Sequence, residues 1–165
     1  MRYRTTVIGL VSLAGALLAD QFFKLAVQTR LNQMTTETFV GPLRLGYYPN
    51  AGIGFGIQLP IWLIAGTVGL VVIGLAAWLL RAHHRIAPMV SWGVGLILIG
   101  AISNLFDRMM YGHVIDVFNF NDWSVFNIAD VWIIVGVFVI VVGISSKRNA
   151  TPSPKRMPSQ DLPNN

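Results

Sequence analysis

Four long apolar runs, at about residues 5–27, 60–80, 87–106 and 125–145, dominate this chain. Each is long enough to cross roughly 30 Å of hydrocarbon as an α-helix. The pattern therefore predicts a membrane α-helical fold with four transmembrane helices. Arg2 and Arg4 precede the first run, as basic residues do in a secretory signal peptide. That run continues through Asp20, Gln21 and Lys24 with no convincing small-residue cleavage site, so it reads as a retained helix. Pro60 and Pro88 suit the first turns of the second and third helices. Asn127 and Asp130 open the fourth, near the positive end of its dipole, which favours an ionised Asp130.

The segments between the runs follow another pattern. Residues 28–59 hold two Thr- and aromatic-containing stretches, Thr35–Val40 and Leu43–Tyr48, and then Gly52, Gly54 and Gly56. This predicts two or three short strands and a glycine turn. A connection of this length is more often functional than idle. Residues 107–124 form a shorter segment with a strand expected around Val114–Phe120. The chain divides into a membrane domain over residues 1–146 and a basic, proline-rich tail over 147–165, expected to be disordered.

Composition agrees with a membrane protein. The chain is 54% hydrophobic and 12% charged, and a soluble domain would carry about twice that charged fraction. The net charge of +5 does not point to nucleic acid, because the basic residues flank the apolar runs and act as topology signals. Arg2, Arg4, Arg81, Arg85, Lys147, Arg148, Lys155 and Arg156 fall on one side, and Lys24, Arg30, Arg44 and Arg108 on the other. That asymmetry puts both termini and the 81–86 loop in the cytoplasm. The absence of cysteine excludes a disulfide framework and a thiolate nucleophile. His83 and His84 lie in a basic loop, His113 stands alone, and no metal-ligand spacing appears.

Acidic residues are few, and four of them sit within or at the ends of apolar segments: Asp20, Asp107, Asp116 and Asp130. A carboxylate at the centre of a membrane helix costs about 2.5–3.5 kcal/mol on insertion scales, so such groups are usually kept for function. Asp20 and Lys24, at i and i+4, share a helix face and can pair, either as a structural ion pair or in contact with substrate. Asn50 and Gly52 open the glycine turn, which could hold an extended peptide or could simply turn the chain. Asn104 and Asp107 share a face at the end of the third helix, where Asp107 could pair with Arg108 or with a neighbouring helix. Asp116 and Asp130 have no basic neighbour in sequence, and Asp130 shares a face with Asn127. Two unpaired acids close together would not both ionise readily; one would stay protonated while the other acted as a base on water. The plainer alternative is a structural hydrogen bond from each to a neighbouring helix.

Taken together and in order, the motifs resemble those of lipoprotein signal peptidases (signal peptidase II). They are Asp20-Gln21-x-x-Lys24, Asn50-x-Gly52-x-x-Phe55, Gly100-Ala101-x-x-Asn104-x-x-Asp107-Arg108, Val114-x-Asp116 and Phe126-Asn127-x-Ala129-Asp130. The resemblance covers the chain from about residue 5 to 145. It implies an aspartyl endopeptidase of the bacterial inner membrane that removes the signal peptide of a diacylglyceryl-modified prolipoprotein, cutting before the lipidated cysteine. It implies that Asp116 and Asp130 are catalytic. Asp20, Lys24, Asn50, Gly52, Asn104, Asp107, Arg108, Asn127 and Ala129 would then support the site or bind substrate. It also implies that the outer strands form a small extracytoplasmic β-cradle and that no metal or organic cofactor takes part. A monomer among membrane phospholipids is the expected state, although the sequence itself does not decide it. The chain departs from the family's habits at Val131, where serine is frequent, and at Ile53-Gly54, where two alanines are frequent.

A proton-coupled transporter using Asp107, Asp116 and Asp130 as a relay is the rival from another class. Transporters usually carry internal repeats and broken helices at mid-membrane. Here the acids lie at span ends, and no repeat is visible.

Overall fold

A computed structural model describes residues 2–31, 38–52, 59–82 and 84–149. Four helices, α1 (Arg2–Leu31), α2 (Ile61–Ala82), α3 (Pro88–Tyr111) and α4 (Ile128–Asn149), carry a small sheet of β1 (Thr38–Val40), β2 (Leu43–Asn50), β3 (Val114–Phe120) and β4 (Ser124–Phe126). Among the described residues, α2, α3 and the Ile128–Ser146 part of α4 are long and apolar enough to cross a membrane. The residues that α2 leaves exposed are those that lipid would cover, among them Trp62, Leu70, Ile73 and Leu80.

Helix α3 is central and packs against α1, α2 and α4. Its buried face follows the helical period through Val90, Gly93, Gly100, Asn104 and Asp107. Glycine lets α3 and α4 meet backbone to backbone. A Cβ on Gly100 would run into the Ala129 carbonyl oxygen, and one on Gly93 would lie 2.7 Å from the Gly136 carbonyl oxygen. Small residues at a helix crossing permit this approach where lipid gives no hydrophobic drive. The contact seats Asn104, one turn beyond Gly100, beside the start of α4.

Helix α3 extends further than the sequence pattern suggests. The third apolar run ends near residue 106, but the helix continues to Tyr111 and takes Asp107 and Arg108 with it. It stops at Gly112, whose φ of 75° suits glycine and whose N–H caps the Arg108 carbonyl. The polar residues do not end the helix because their side chains find partners inside the protein.

The sheet is antiparallel in the order β1-β2-β3-β4. The strand expected at Val114–Phe120 has those bounds, β2 runs two residues beyond Tyr48, and β1 is Thr38–Val40, with residues 35–37 of the first stretch outside the described residues. Strand β4 takes the first two residues of the fourth apolar run, Val125 and Phe126, and α4 begins at Ile128, directly after Asn127, one of the two residues expected to open it. Helix α4 runs on through Asn149, into the segment read as tail. The remainder of that tail and glycine-turn residues 53–58 lie outside the described residues. Val114, Ile115, Asp116 and Val117 are all buried, so β3 is covered on both faces. Ile115 and Val117 pack on Val27 of α1. Strand alternation turns Asp116 the other way, toward β2 and α4.

Candidate active site

Helix α4 begins with a reciprocal cap. The Asn127 carbonyl Oδ1 accepts the Asp130 N–H at 3.0 Å, and Asp130 Oδ2 accepts the Asn127 N–H at 3.1 Å. This is the capping-box arrangement, with Asn and Asp in place of the usual pair. It fixes the Asp130 side chain against its own helix start.

Asp116 and Asp130 share a layer of amides. Asp116 Oδ1 accepts from Asn127 Nδ2 at 2.8 Å, and Oδ2 accepts from Asn50 Nδ2 at 2.8 Å. Asp130 Oδ1 accepts from Asn104 Nδ2 at 2.8 Å. Each carboxylate therefore receives two N–H donors, and among the described residues neither has a salt bridge. Burial pushes the Asp116 carboxyl up to about 6 from its ordinary 3.8. The Asn50 hydrogen bond opposes that rise, and the nearby Asp130 charge adds to it.

Asn50 also binds the chain beyond it: its Oδ1 accepts the Gly52 N–H at 3.0 Å, an Asx turn that starts the glycine segment. Arg108 Nη2 donates to the Gly52 carbonyl at 3.0 Å, tying that turn to the end of α3.

Beneath the amides lies a buried charged layer. Lys24 Nζ is 2.9 Å from Asp20 Oδ2 and 2.8 Å from Asp107 Oδ2, with all three side chains at most 1% exposed. Of the two partners left open for Asp107, the neighbouring helix is the one observed; the Arg108 guanidinium goes to Gly52. Asp20 Oδ1 accepts the Ala129 N–H at 3.0 Å, and Asp107 Oδ2 accepts the Ile115 N–H at 3.2 Å. Gln21 and Ser103 complete this layer. Gln21 Nε2 donates to Ser103 Oγ at 2.7 Å and to Asp107 Oδ1 at 2.9 Å, and Ser103 Oγ donates to Asp20 Oδ2. Neither was among the site residues expected from sequence, although Ser103 lies four residues before Asp107 on one helix face.

The structure thus brings together Asp20, Lys24, Asn50, Gly52, Asn104, Asp107, Arg108, Asp116, Asn127, Ala129 and Asp130. A cavity of about 280 Å³ lies near Phe22, Leu25, Phe106, Lys24 and Ile115. Ile115 faces away from Asp116 along β3, so this cavity is behind the paired carboxylates rather than in front of them.

Residues 12–145, a stretch containing this whole cluster, match the family described as Signal peptidase (SPase) II. The chain belongs to the signal peptidase II family. It is 36% identical over 132 residues to the lipoprotein signal peptidase of Pelotomaculum thermopropionicum, covering 79% of this chain and 86% of that protein. It is 41% identical over 112 residues to that of Caulobacter vibrioides, covering 62% and 64%. A solved bacterial membrane enzyme has the same fold, with a TM-score of 0.75 at 22% identity over 88% of this chain and 93% of its own. Membership in signal peptidase II makes the chain a protease of bacterial membranes, and the transporter reading is not favoured.

Proposed function

We propose that this signal peptidase II removes the signal peptide from diacylglyceryl-modified prolipoproteins, cutting before the lipidated cysteine with Asp116 and Asp130 as an aspartyl dyad. The observation that carries the reading is the shared amide layer. A buried Asp116 and a half-buried Asp130, neither in a salt bridge among the described residues, are held by Asn50, Asn104 and Asn127 in a chain of signal peptidase II descent.

In this mechanism Asp116 carries the dyad's proton: burial and the neighbouring charge raise its carboxyl, while the positive end of the α4 dipole favours an ionised Asp130. Asp130 acts as base. Water between them gives a proton to Asp130 as its oxygen bonds to the scissile carbonyl carbon, while Asp116 hydrogen-bonds the carbonyl oxygen. Collapse of the tetrahedral intermediate breaks the C–N bond, and a dyad proton passes to the leaving amine. Asn50, Asn104 and Asn127 fix the two carboxylates; Arg108, Asn50 and Gly52 shape the turn against which substrate lies.

In the membrane, α1 is the fourth span, both termini and the 81–86 loop are cytoplasmic, and the sheet lies outside as a cradle. The Lys/Arg asymmetry supports this orientation in the bacterial inner membrane. The enzyme acts as a monomer surrounded by phospholipid, a reading supported by one chain supplying every partner named around the dyad.

The test is cleavage of a purified diacylglyceryl-modified prolipoprotein by the enzyme in detergent, read by gel shift and by mass of the product. The expected product begins at the lipidated cysteine. Cleavage elsewhere, or none by a folded enzyme, would refute the proposed activity.

A further inference from the structure

The Lys24 ammonium has three N–H groups and three acceptors: Asp20 Oδ2 at 2.9 Å, Asp107 Oδ2 at 2.8 Å and Asn104 Oδ1 at 3.1 Å. Each acceptor leads to one of the dyad aspartates. Asp20 holds the N–H of Ala129, the residue before Asp130. Asp107 holds the N–H of Ile115, the residue before Asp116. Asn104 donates to Asp130 directly. One buried cation on α1 is thus bonded to the anchors of both elements that carry the dyad, β3 and α4.

Stability alone explains such a cluster poorly. Burying an ion pair or triad often gives no more stability than apolar residues of the same volume would. Position is a better explanation, since the three bonds converge on a single tetrahedral nitrogen. Lys24 also settles the sense of the Asn104 amide. With Lys24 and Asn127 both donating to Oδ1, Nδ2 is left to face Asp130.

Resting on the dyad reading above, we propose that Lys24 is a positioning residue for catalysis: its ammonium sets the spacing of Asp116 and Asp130 and the orientation of Asn104 without touching substrate. Small misplacements of reacting groups lower rate steeply, so loss of the ammonium should act on kcat. Arginine cannot replace it, because a planar fork does not direct three bonds from one centre.

The experiment compares Lys24→Met and Lys24→Ala in membrane-inserted, monodisperse enzyme. Lys24→Met should lower kcat by about 100-fold with KM unchanged, the pattern of an interaction felt only in the transition state. If Lys24→Met fails to insert, Lys24→Met with Asp107→Asn restores the native charge sum and takes its place. Lys24→Ala opens space beside the cavity that Lys24 lines, and n-propylammonium, with the three carbons and the nitrogen that alanine lacks, should restore turnover saturably. Propanol, of similar shape and uncharged, should not. Native kcat in the methionine variant, rescue by both additives alike, or rescue by neither would overturn the proposal. Asp116→Asn and Asp130→Asn run alongside separate the two readings. If either is active the dyad itself is wrong; if both are dead while Lys24→Met is fully active, only the role of Lys24 falls.

Discussion

Asn127 and Asn104 are joined side chain to side chain, with Asn127 Nδ2 donating to Asn104 Oδ1 at 3.0 Å. The bond links two amides that each serve a carboxylate, Asn127 to Asp116 and Asn104 to Asp130. Neither amide can turn over without loss. The Asn127 Oδ1 is committed to the Asp130 N–H, and the Asn104 Oδ1 to Lys24 and Asn127. The two carboxylates of the proposed dyad are therefore supported by a directed chain of donors, and its sense can be tested.

Asn127→Ala removes both the helix cap and the donor to Asp116. Asn127→Asp keeps a capping oxygen but replaces the donor with an acceptor. The alanine variant should lose about 1 kcal/mol of stability through the cap, and the aspartate variant should stay closer to native in thermal unfolding. Turnover should rank the other way or equal, with the aspartate variant at least as impaired, because it presents a third carboxylate to Asp116. Thermal melts in detergent set against initial rates check both halves. An aspartate variant with native turnover would remove the donor chain from the mechanism.

Asp116→Asn and Asp130→Asn should each abolish cleavage in a protein that still inserts. An amide preserves shape but cannot exchange the proton, and general acid–base catalysis alone is typically worth about 10²–10⁴-fold. The gel-shift assay at matched enzyme level decides. Near-full turnover by either variant would show that the dyad has been misassigned.

The pH profile follows from Asp116. Its carboxyl is raised to about 6 by burial. If it is the proton-bearing member, raising pH through about 6 strips that proton, and kcat/KM of the free enzyme should fall on the alkaline side. Substrate would bury the site further and push the group higher, so the matching limb in kcat should lie at higher pH. The limb belongs to the coupled pair rather than to one residue. A kcat/KM that instead rises through pH 6 would make Asp116 the base and exchange the two roles.

The pattern of apolar and polar positions was enough for the helices, for the strand Val114–Phe120 and for the Asp20–Lys24 pair, because each depends on residues close in sequence. The partner of Asp107 was not readable in that way. Arg108 is adjacent, but successive helix residues point apart, and Lys24 arrives from another helix. The same limit hid Gln21 and Ser103, whose polarity has meaning only once α1 lies on α3. The end of α3 was misjudged because charged residues usually mark a span's edge, whereas here Asp107 is fully buried and satisfied. The short β4 was hidden in an apolar run, where Ser124–Phe126 pairs with the end of β3 and the helix waits for the Asn127 cap.

Gly100 tests how tightly the helices must meet. A Cβ there would strike the Ala129 carbonyl and lie 2.7 Å from Ile133 Cγ1, whereas one at Gly66 of α2 would meet nothing within 4 Å. Gly100→Ala should cost about 1–3 kcal/mol through overpacking and, by moving α4 off Asn104, lower kcat more than KM. Gly66→Ala should leave both stability and rate near native. Unfolding midpoints and steady-state rates for the pair provide the comparison. A Gly100→Ala enzyme indistinguishable from native would mean that the α3–α4 approach does not set the dyad.

The last prediction concerns the substrate's lipid. Asp130 lies in the first turn of α4, and Asp116 lies on the strand that follows the end of α3. Both carboxylates therefore sit where apolar helices give way to the sheet, which in the proposed orientation is the level at which a diacylglyceryl group would meet water. Each buried methylene contributes about 0.8 kcal/mol to membrane attachment, but a signal peptide is already anchored by its own apolar helix. The lipid's contribution should therefore be to depth: it holds the scissile bond level with the dyad. Unlipidated prolipoprotein should be cut far more slowly at matched concentration, with the loss in kcat rather than in KM. Single-turnover rates for the two substrates in the same bilayer measure this directly. Equal rates would show that depth is set by the peptide alone and that the lipid plays no part in positioning the bond.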